Sequence, residues 1–278
     1  MDQAQFLEYL KKFNDFYIAN ILPYVTADYQ GQPFELFGMR HLIALGIILL
    51  FILMIFFSRK NFTNRKKEDI RDTMAAILIL NEITWHLWNY FFNEWTLQTM
   101  LPLHVCSILV WLSAIMLMSK SYRIYEFAYL LGVGGALQAL LTPDLGMYGF
   151  PHYRFFQTFI SHGFIIIAAL YMTFVEEMRP TWQSTIRVFL ITNVYMVAVY
   201  FINNAIGSNY LYINHKPATA SILDLLPEWP IYILYVEAIG ILTIFVLYLP
   251  FLIKDSVNRL KMRNSGKDRL NSLDDMLS

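Results

Sequence analysis

Six histidines and one cysteine carry most of the proton-transfer and nucleophilic chemistry available to this chain. They are His41, His86, His104, His152, His162, His215 and Cys106. An imidazole exchanges protons near neutral pH, and a thiolate attacks esters. A topology drawn from charge alone sets all seven residues on the same side of a membrane. Ionisable groups inside a bilayer cost free energy and usually mark a site.

The elements that must position these groups are membrane spans. Hydrophobic residues make up 57% of the 278 and charged residues 15%, and several apolar runs approach the length that crosses a bilayer. The clearest, His41–Phe57, is followed at once by Ser58, Arg59 and Lys60. Such runs predict seven helices, at about 37–57, 73–92, 100–118, 124–141, 154–174, 184–205 and 230–253. The expected fold is all-α, a polytopic membrane helical bundle. Sixteen basic residues fall in the loops after the first, third and fifth spans and in the tail. Lys11, Lys12, Lys216, Arg40 and Arg154 fall on the other side. The positive-inside rule then predicts an outside N-terminus and a cytoplasmic C-terminus, in a bacterial cytoplasmic membrane.

Three regions follow. Residues 1–35 read as an outer interfacial segment, because Phe6, Leu10, Phe13, Tyr17 and Ile21 recur at three- and four-residue steps. Residues 36–255 form the seven-helix domain, and 256–278 a polar cytoplasmic tail. The first thirty residues contain acids and no uninterrupted apolar core with a cleavage site, so no signal peptide is expected. Zero net charge gives no sign of a nucleic-acid partner, and a single cysteine excludes an internal disulfide.

Polar residues inside the spans narrow the site. Glu82, His86 and Asn89 share one face of the second span and must point into the bundle. The third span begins LPLHVCSI, with Pro102 in its expected first turn and Cys106 one turn later. On a regular helix His104 and Cys106 face nearly opposite ways, which makes His104 a poor base for the thiol. In the fifth span Arg154, Gln157, Thr158 and Ser161 share a face, and His162 lies one turn below Thr158. Counted from Arg154, His162 is about 12 Å deep, and Cys106 reaches a similar depth from the same side. Matching depth lets a nucleophile and a base meet across the bundle core. Gly163 permits close helix approach. Gln138, Asn193 and Glu237 add polar groups to this layer. The outer loop TPDLGMYGFPHYR, with Asp144, His152 and Arg154, and the loop from Gly207 to Pro230 cap it and suit substrate entry.

The segments LPLHVC at 101–106, LTPDLGMYGFPHYRFFQTFISHG at 141–163 and NYLYINHKPATASILDLLPEWP at 209–230 resemble the YwaF-type bacterial membrane proteins. Those in turn are similar to the transmembrane protein 164 family of acyltransferases. The resemblance implies acyl transfer between phospholipids and lysophospholipids, with Cys106 as nucleophile and His162 as base. Backbone N–H groups at the start of the third span, or Asn89 and Gln157, would stabilise the oxyanion. Glu82, His86, His104 and Glu237 would support these groups, with no cofactor.

Two other chemistries fit the same residues. His86, His104 and His162, with Glu82 or Glu237, would suffice for a catalytic zinc in a lipid hydrolase. Glu82 and Glu237 would serve a proton- or cation-coupled transporter.

Overall fold

Polar residues that stop helices divide the apolar runs, and the resulting elements are read from a computed structural model that describes residues 3–217 and 222–277. Thr63 caps α3 by accepting from the Lys66 N–H at 3.3 Å. Thr181 and Ser184 form a reciprocal capping box at the head of α8. Gly207, at φ +68°, ends α8 in the left-handed conformation that glycine adopts without strain. Each such cap is worth about 1 kcal/mol.

The described residues are helical without strands. In chain order the helices are α1 (Gln3–Asn20), α2 (Met39–Ser58), α3 (Asn64–Phe91), α4 (Val105–Ser119), α5 (Tyr122–Phe127), α6 (Val133–Leu141), α7 (Tyr153–Phe174), α8 (Trp182–Ile206) and α9 (Ile231–Leu277). A π-helical segment, Ala128–Gly132, joins α5 to α6. Among the described residues, five helical stretches are long and apolar enough to cross a membrane: Met39–Asn61, Tyr122–Leu141, Tyr153–Phe174, Trp182–Ile206 and Ile231–Arg259. The expected second span lies inside α3, whose first two turns are charged. The expected third span becomes α4, which at 15 residues reaches only about 22 Å.

That third span starts later than its sequence suggests. Residues 101–104 are turns, and Pro102 precedes the helix instead of opening it. Tertiary contacts hold this stretch. The Tyr210 hydroxyl donates to the Leu97 carbonyl at 2.7 Å and accepts from the Leu101 N–H at 2.8 Å. The Tyr195 hydroxyl donates to the Leu103 carbonyl at 2.8 Å. Backbone groups that a helix would have paired are thus satisfied from α8 and the loop beyond it. Residues 218–221 of that loop lie outside the described residues. The backbone of the polar tail continues α9 to Leu277.

α7 is the central helix, packed against α2, α3, α4 and α6, and it contributes Ile165, Ala168, Ala169, Tyr171 and Met172 to the core. α2 is mostly exposed along its length, as a lipid-facing helix is. Large apolar side chains of α1, among them Phe6, Leu10 and Phe13, are also exposed.

The two ends of the bundle are held by different chemistry. At the end with the basic loops, charges are paired: Glu176 with Arg71 and Lys120, Glu126 with Arg187 and Arg123, and Asp255 with Arg179. At the opposite end, side chains bind backbone. Trp88, Tyr148 and His152 donate to three successive carbonyls, those of Val25, Ala27 and Thr26 respectively, at 2.6, 2.9 and 3.0 Å. The Phe34 N–H adds a bond to the Gly146 carbonyl at 3.0 Å. Residues 25–34 are therefore a strap fastened over α3 and the loop before α7.

Candidate active site

The histidines are used in distinct ways. His41 accepts from the Phe37 N–H at 3.0 Å and donates to the Leu140 carbonyl at 2.8 Å, tying α2 to α6. His152 caps α7 by accepting from the Arg154 N–H at 3.1 Å, while its other nitrogen holds Thr26. Burial lowers its pKa below the ordinary histidine value; the bond to Thr26 opposes this shift and the Arg154 charge adds to it. His104 is the N-cap residue of α4 and accepts from the Leu211 N–H at 3.3 Å, between the rings of Tyr210 and Tyr212. His86 accepts from the Trp95 indole N–H at 3.1 Å and stands 3.7 Å from the Glu82 carboxylate. Asn89 spends its side-chain N–H on the Trp85 carbonyl of its own helix, at 2.8 Å.

His162 differs from these. Its Nδ1 lies 2.9 Å from the Thr158 carbonyl. A carbonyl only accepts, so Nδ1 carries the proton and a neutral ring offers a lone pair at Nε2. No bond to Nε2 occurs among the described residues. A polar chain continues outward along α7. Arg154 donates to Gln157, whose side-chain oxygen also accepts from Thr158 at 3.5 Å. The Arg154 guanidinium lies over the Trp85 ring, 3.8 Å from its centre. Asp144, in the preceding loop, is near enough for its charge to reach Arg154 and Tyr212. Burial, and then that charge, raises the Tyr212 phenol above its ordinary pKa.

Cys106 is the second residue of α4 and a free thiol. Starting the helix at Val105 moves Cys106 from its expected second turn into the first. There the N–H groups of Val105, Cys106 and Ser107 have no intrahelical acceptor, and no side chain caps them. An uncapped helix start favours a developing anion.

Three helical segments meet at Gly132, one turn from Cys106. Short connections make α4 and α7 run one way and α5–α6 the other. A Cβ at Gly132 would lie 3.1 Å from Ile165 of α7 and 3.3 Å from Leu109 of α4. Three residues toward the start of α4, Leu109 becomes Cys106. Three residues along α6, Gly132 becomes Gly135, and a Cβ there would lie 3.8 Å from the Cys106 sulfur. Bare backbone of α6 thus lies against the thiol, and Cys106 is the one neighbour within 4 Å of that Cβ among the described residues. Gly163 faces away and lets α7 close on Ile48 of α2, where a Cβ would lie 3.0 Å from its tip.

Beside the thiol lies a cavity of about 290 Å³, bordered by α4, α6, α8 and α9. Val105 and Gly135 form its wall toward Cys106, and Gln138, Asn193, Glu237 and Thr243 are among its polar residues. Asn193 donates to Glu237 at 3.3 Å. Thr192 also lines the cavity, and its hydroxyl has no hydrogen-bond partner among the described residues. Sequence reasoning missed Thr192 and the glycines of α6. The run Gly132-Val133-Gly134-Gly135 was the available signal, since small residues mark close backbone approach in membranes.

The residues of the zinc reading are not brought together among the described residues. Among the described residues no three His, Cys, Asp or Glu side chains converge as a metal requires. His86, His104 and His162 sit in separate hydrogen-bond settings on α3, α4 and α7.

A family model described as the TMEM164 family matches residues 36–248. No curated protein matches the chain. No solved structure matches it either.

Proposed function

Because the chain belongs to the TMEM164 family, we propose that this integral membrane protein transfers acyl chains between phospholipids and lysophospholipids through Cys106 and His162. The observation that carries the reading is the environment of Cys106. An uncapped helix start and the bare backbone of α6 adjoin the thiol, and the parallel helix α7 carries a histidine whose Nε2 is free among the described residues.

His162 Nε2 takes the thiol proton, and the sulfur attacks the ester carbonyl of a phospholipid. The amides at the head of α4 receive the negative charge that gathers on the carbonyl oxygen. The carbon–oxygen bond breaks, His162 returns its proton to the departing lysolipid oxygen, and a thioester remains on Cys106. A second lysolipid then gives its hydroxyl proton to His162 and attacks the thioester, restoring the thiol. Water in place of that hydroxyl gives hydrolysis. The cavity behind Val105 and Gly135 receives the acyl chain, since its walls are mainly apolar.

In the same proposal the chain crosses seven times, with α3 and α4 added to the five stretches given above. Its N-terminus is outside and its tail is cytoplasmic, in the cytoplasmic membrane of a bacterial cell. The bias in basic residues supports this sense of crossing. The site then opens toward the outer leaflet.

The test is lipid mass spectrometry on vesicles holding the purified protein, an isotope-labelled phospholipid and an unlabelled lysophospholipid. The wild type moves label to the lysolipid, and Cys106→Ser does not. Equal transfer by the two proteins contradicts the mechanism.

A further inference from the structure

Two cavities lie end to end on the side of α7 that faces away from His162. The upper one, about 240 Å³, is bounded by the strap at Gln32 and Glu35, by Arg40 at the start of α2, and by Phe150. The lower one, about 330 Å³, descends the seam between α2 and α7 past Ala44, Ile47 and Phe164. Arg40, Phe150 and Phe155 belong to both. At about 100° per residue, the seam residues Ile160, Gly163 and Ile167 turn well away from His162 and Ile165. This groove is therefore separate from the Cys106 layer.

Its chemistry changes along its length. Below Arg40 the walls are aliphatic and aromatic. Above it they carry one cation and one carboxylate. Arg40 spends one N–H on the Phe150 carbonyl, at 2.9 Å, with its guanidinium 5.5 Å from that ring's centre. A guanidinium has five N–H donors, so four remain. Glu35 has no ion pair or side-chain hydrogen bond among the described residues. The change occurs at the first turns of α2 and α7, where a bilayer exchanges headgroups for chains.

We propose that this groove holds one zwitterionic glycerophospholipid of the bilayer, bound as a resident and not as a substrate. Its phosphate lies on Arg40, its ammonium on Glu35 and one acyl chain in the α2–α7 seam. Charge complementarity selects this occupant. A peptide or a second copy of the chain has no reason to place an anion beside Arg40 and a cation beside Glu35 directly above an apolar tail. Planar guanidinium suits phosphate oxygens, and a carboxylate suits a primary ammonium.

The test is native mass spectrometry of the full chain, purified in mild detergent from vesicles of phosphatidylethanolamine and phosphatidylglycerol. The wild type carries one phosphatidylethanolamine per chain. Arg40→Gln lowers its retention about tenfold, the size of effect that one charge-assisted contact supplies. Glu35→Gln removes the preference for the ethanolamine lipid. Ala44→Trp fills the seam and expels the lipid. Arg40 and Glu35 are exposed, so their variants remain informative if the tryptophan variant misfolds. Cys106→Ser keeps the bound lipid, which separates this site from the proposed acyl-transfer cavity. Retention unchanged in Arg40→Gln overturns the proposal. So does a wild type that retains both lipids equally, one whose added mass is a protein chain, or lipid loss in Cys106→Ser.

Discussion

His162 is fixed by its own helix: Nδ1 donates to the Thr158 carbonyl one turn back, at 2.9 Å. In many cysteine–histidine sites a separate carboxylate or amide orients the ring. Here backbone does so, which leaves Nε2 free for the proposed role of base without placing another charge in the membrane. His162→Ala is expected to slow iodoacetamide labelling of Cys106 about tenfold and to cut acyl transfer by roughly 10²–10⁴-fold, the usual contribution of a general base. His86→Ala, which disturbs a different network, is expected to leave labelling within about twofold of wild type. Equal labelling in wild type and His162→Ala removes His162 from the mechanism.

Gly135 makes a second, steric prediction. A Cβ there would stand 3.8 Å from the Cys106 sulfur, an ordinary contact. Gly135→Ala is therefore expected to keep most activity. Gly135→Leu crowds the thiol and the cavity wall, costing about 1–3 kcal/mol of stability and blocking both labelling and transfer. The comparison needs melting temperatures of both variants beside their labelling rates. A leucine variant with wild-type labelling shows that access to Cys106 does not pass Gly135.

His152 gives the protein a pH-dependent fastening. Burial holds its folded-state pKa below the ordinary value, with the Arg154 charge acting in the same direction. The unfolded chain then binds the proton more readily than the folded one. The stability from this group is complete above about pH 6.5 and is lost as the pH falls from there toward the folded-state value. Melting temperature is expected to drop between pH 7.5 and 5.5. The drop is expected to be smaller in His152→Asn, which can still cap α7 but does not titrate. An identical slope in the two proteins assigns the pH dependence to other groups.

Much of the fold could be read from hydropathy, because a lipid-facing or core helix must be apolar along its length. The predicted runs at 37–57, 154–174 and 184–205 lie within a few residues of α2, α7 and α8. The start of α4 could not be read, because it depends on hydroxyls of Tyr195 and Tyr210, more than ninety residues away in sequence. The strap was equally hidden. Residues 1–35 read as one amphipathic segment, yet α1 ends at Asn20 and the rest is held by Trp88, Tyr148 and His152. Periodicity reports which faces are apolar, but not which distant side chain will take up a particular carbonyl.

The paired charges at the opposite end test how that end is held. Glu126 has no exposed side-chain surface and receives Arg187 and the Ser184 hydroxyl. Arg187→Met leaves a buried carboxylate without its principal partner and is expected to cost about 3–5 kcal/mol. Adding Glu126→Gln is expected to recover part of that loss, since a neutral amide tolerates burial better. Thermal unfolding in detergent measures both. A double variant no more stable than Arg187→Met shows that charge burial is not the source of the cost.

The central claim is that acyl transfer passes through a thioester on Cys106. It is tested most directly by intact and peptide mass spectrometry after the protein meets phospholipid without a lysolipid acceptor. The expected result is one acyl chain on the peptide containing Cys106. Hydroxylamine should release it, lysophospholipid should discharge it, and Cys106→Ser should lack it. Full acyl transfer by Cys106→Ser, with no adduct on the wild type, contradicts the account.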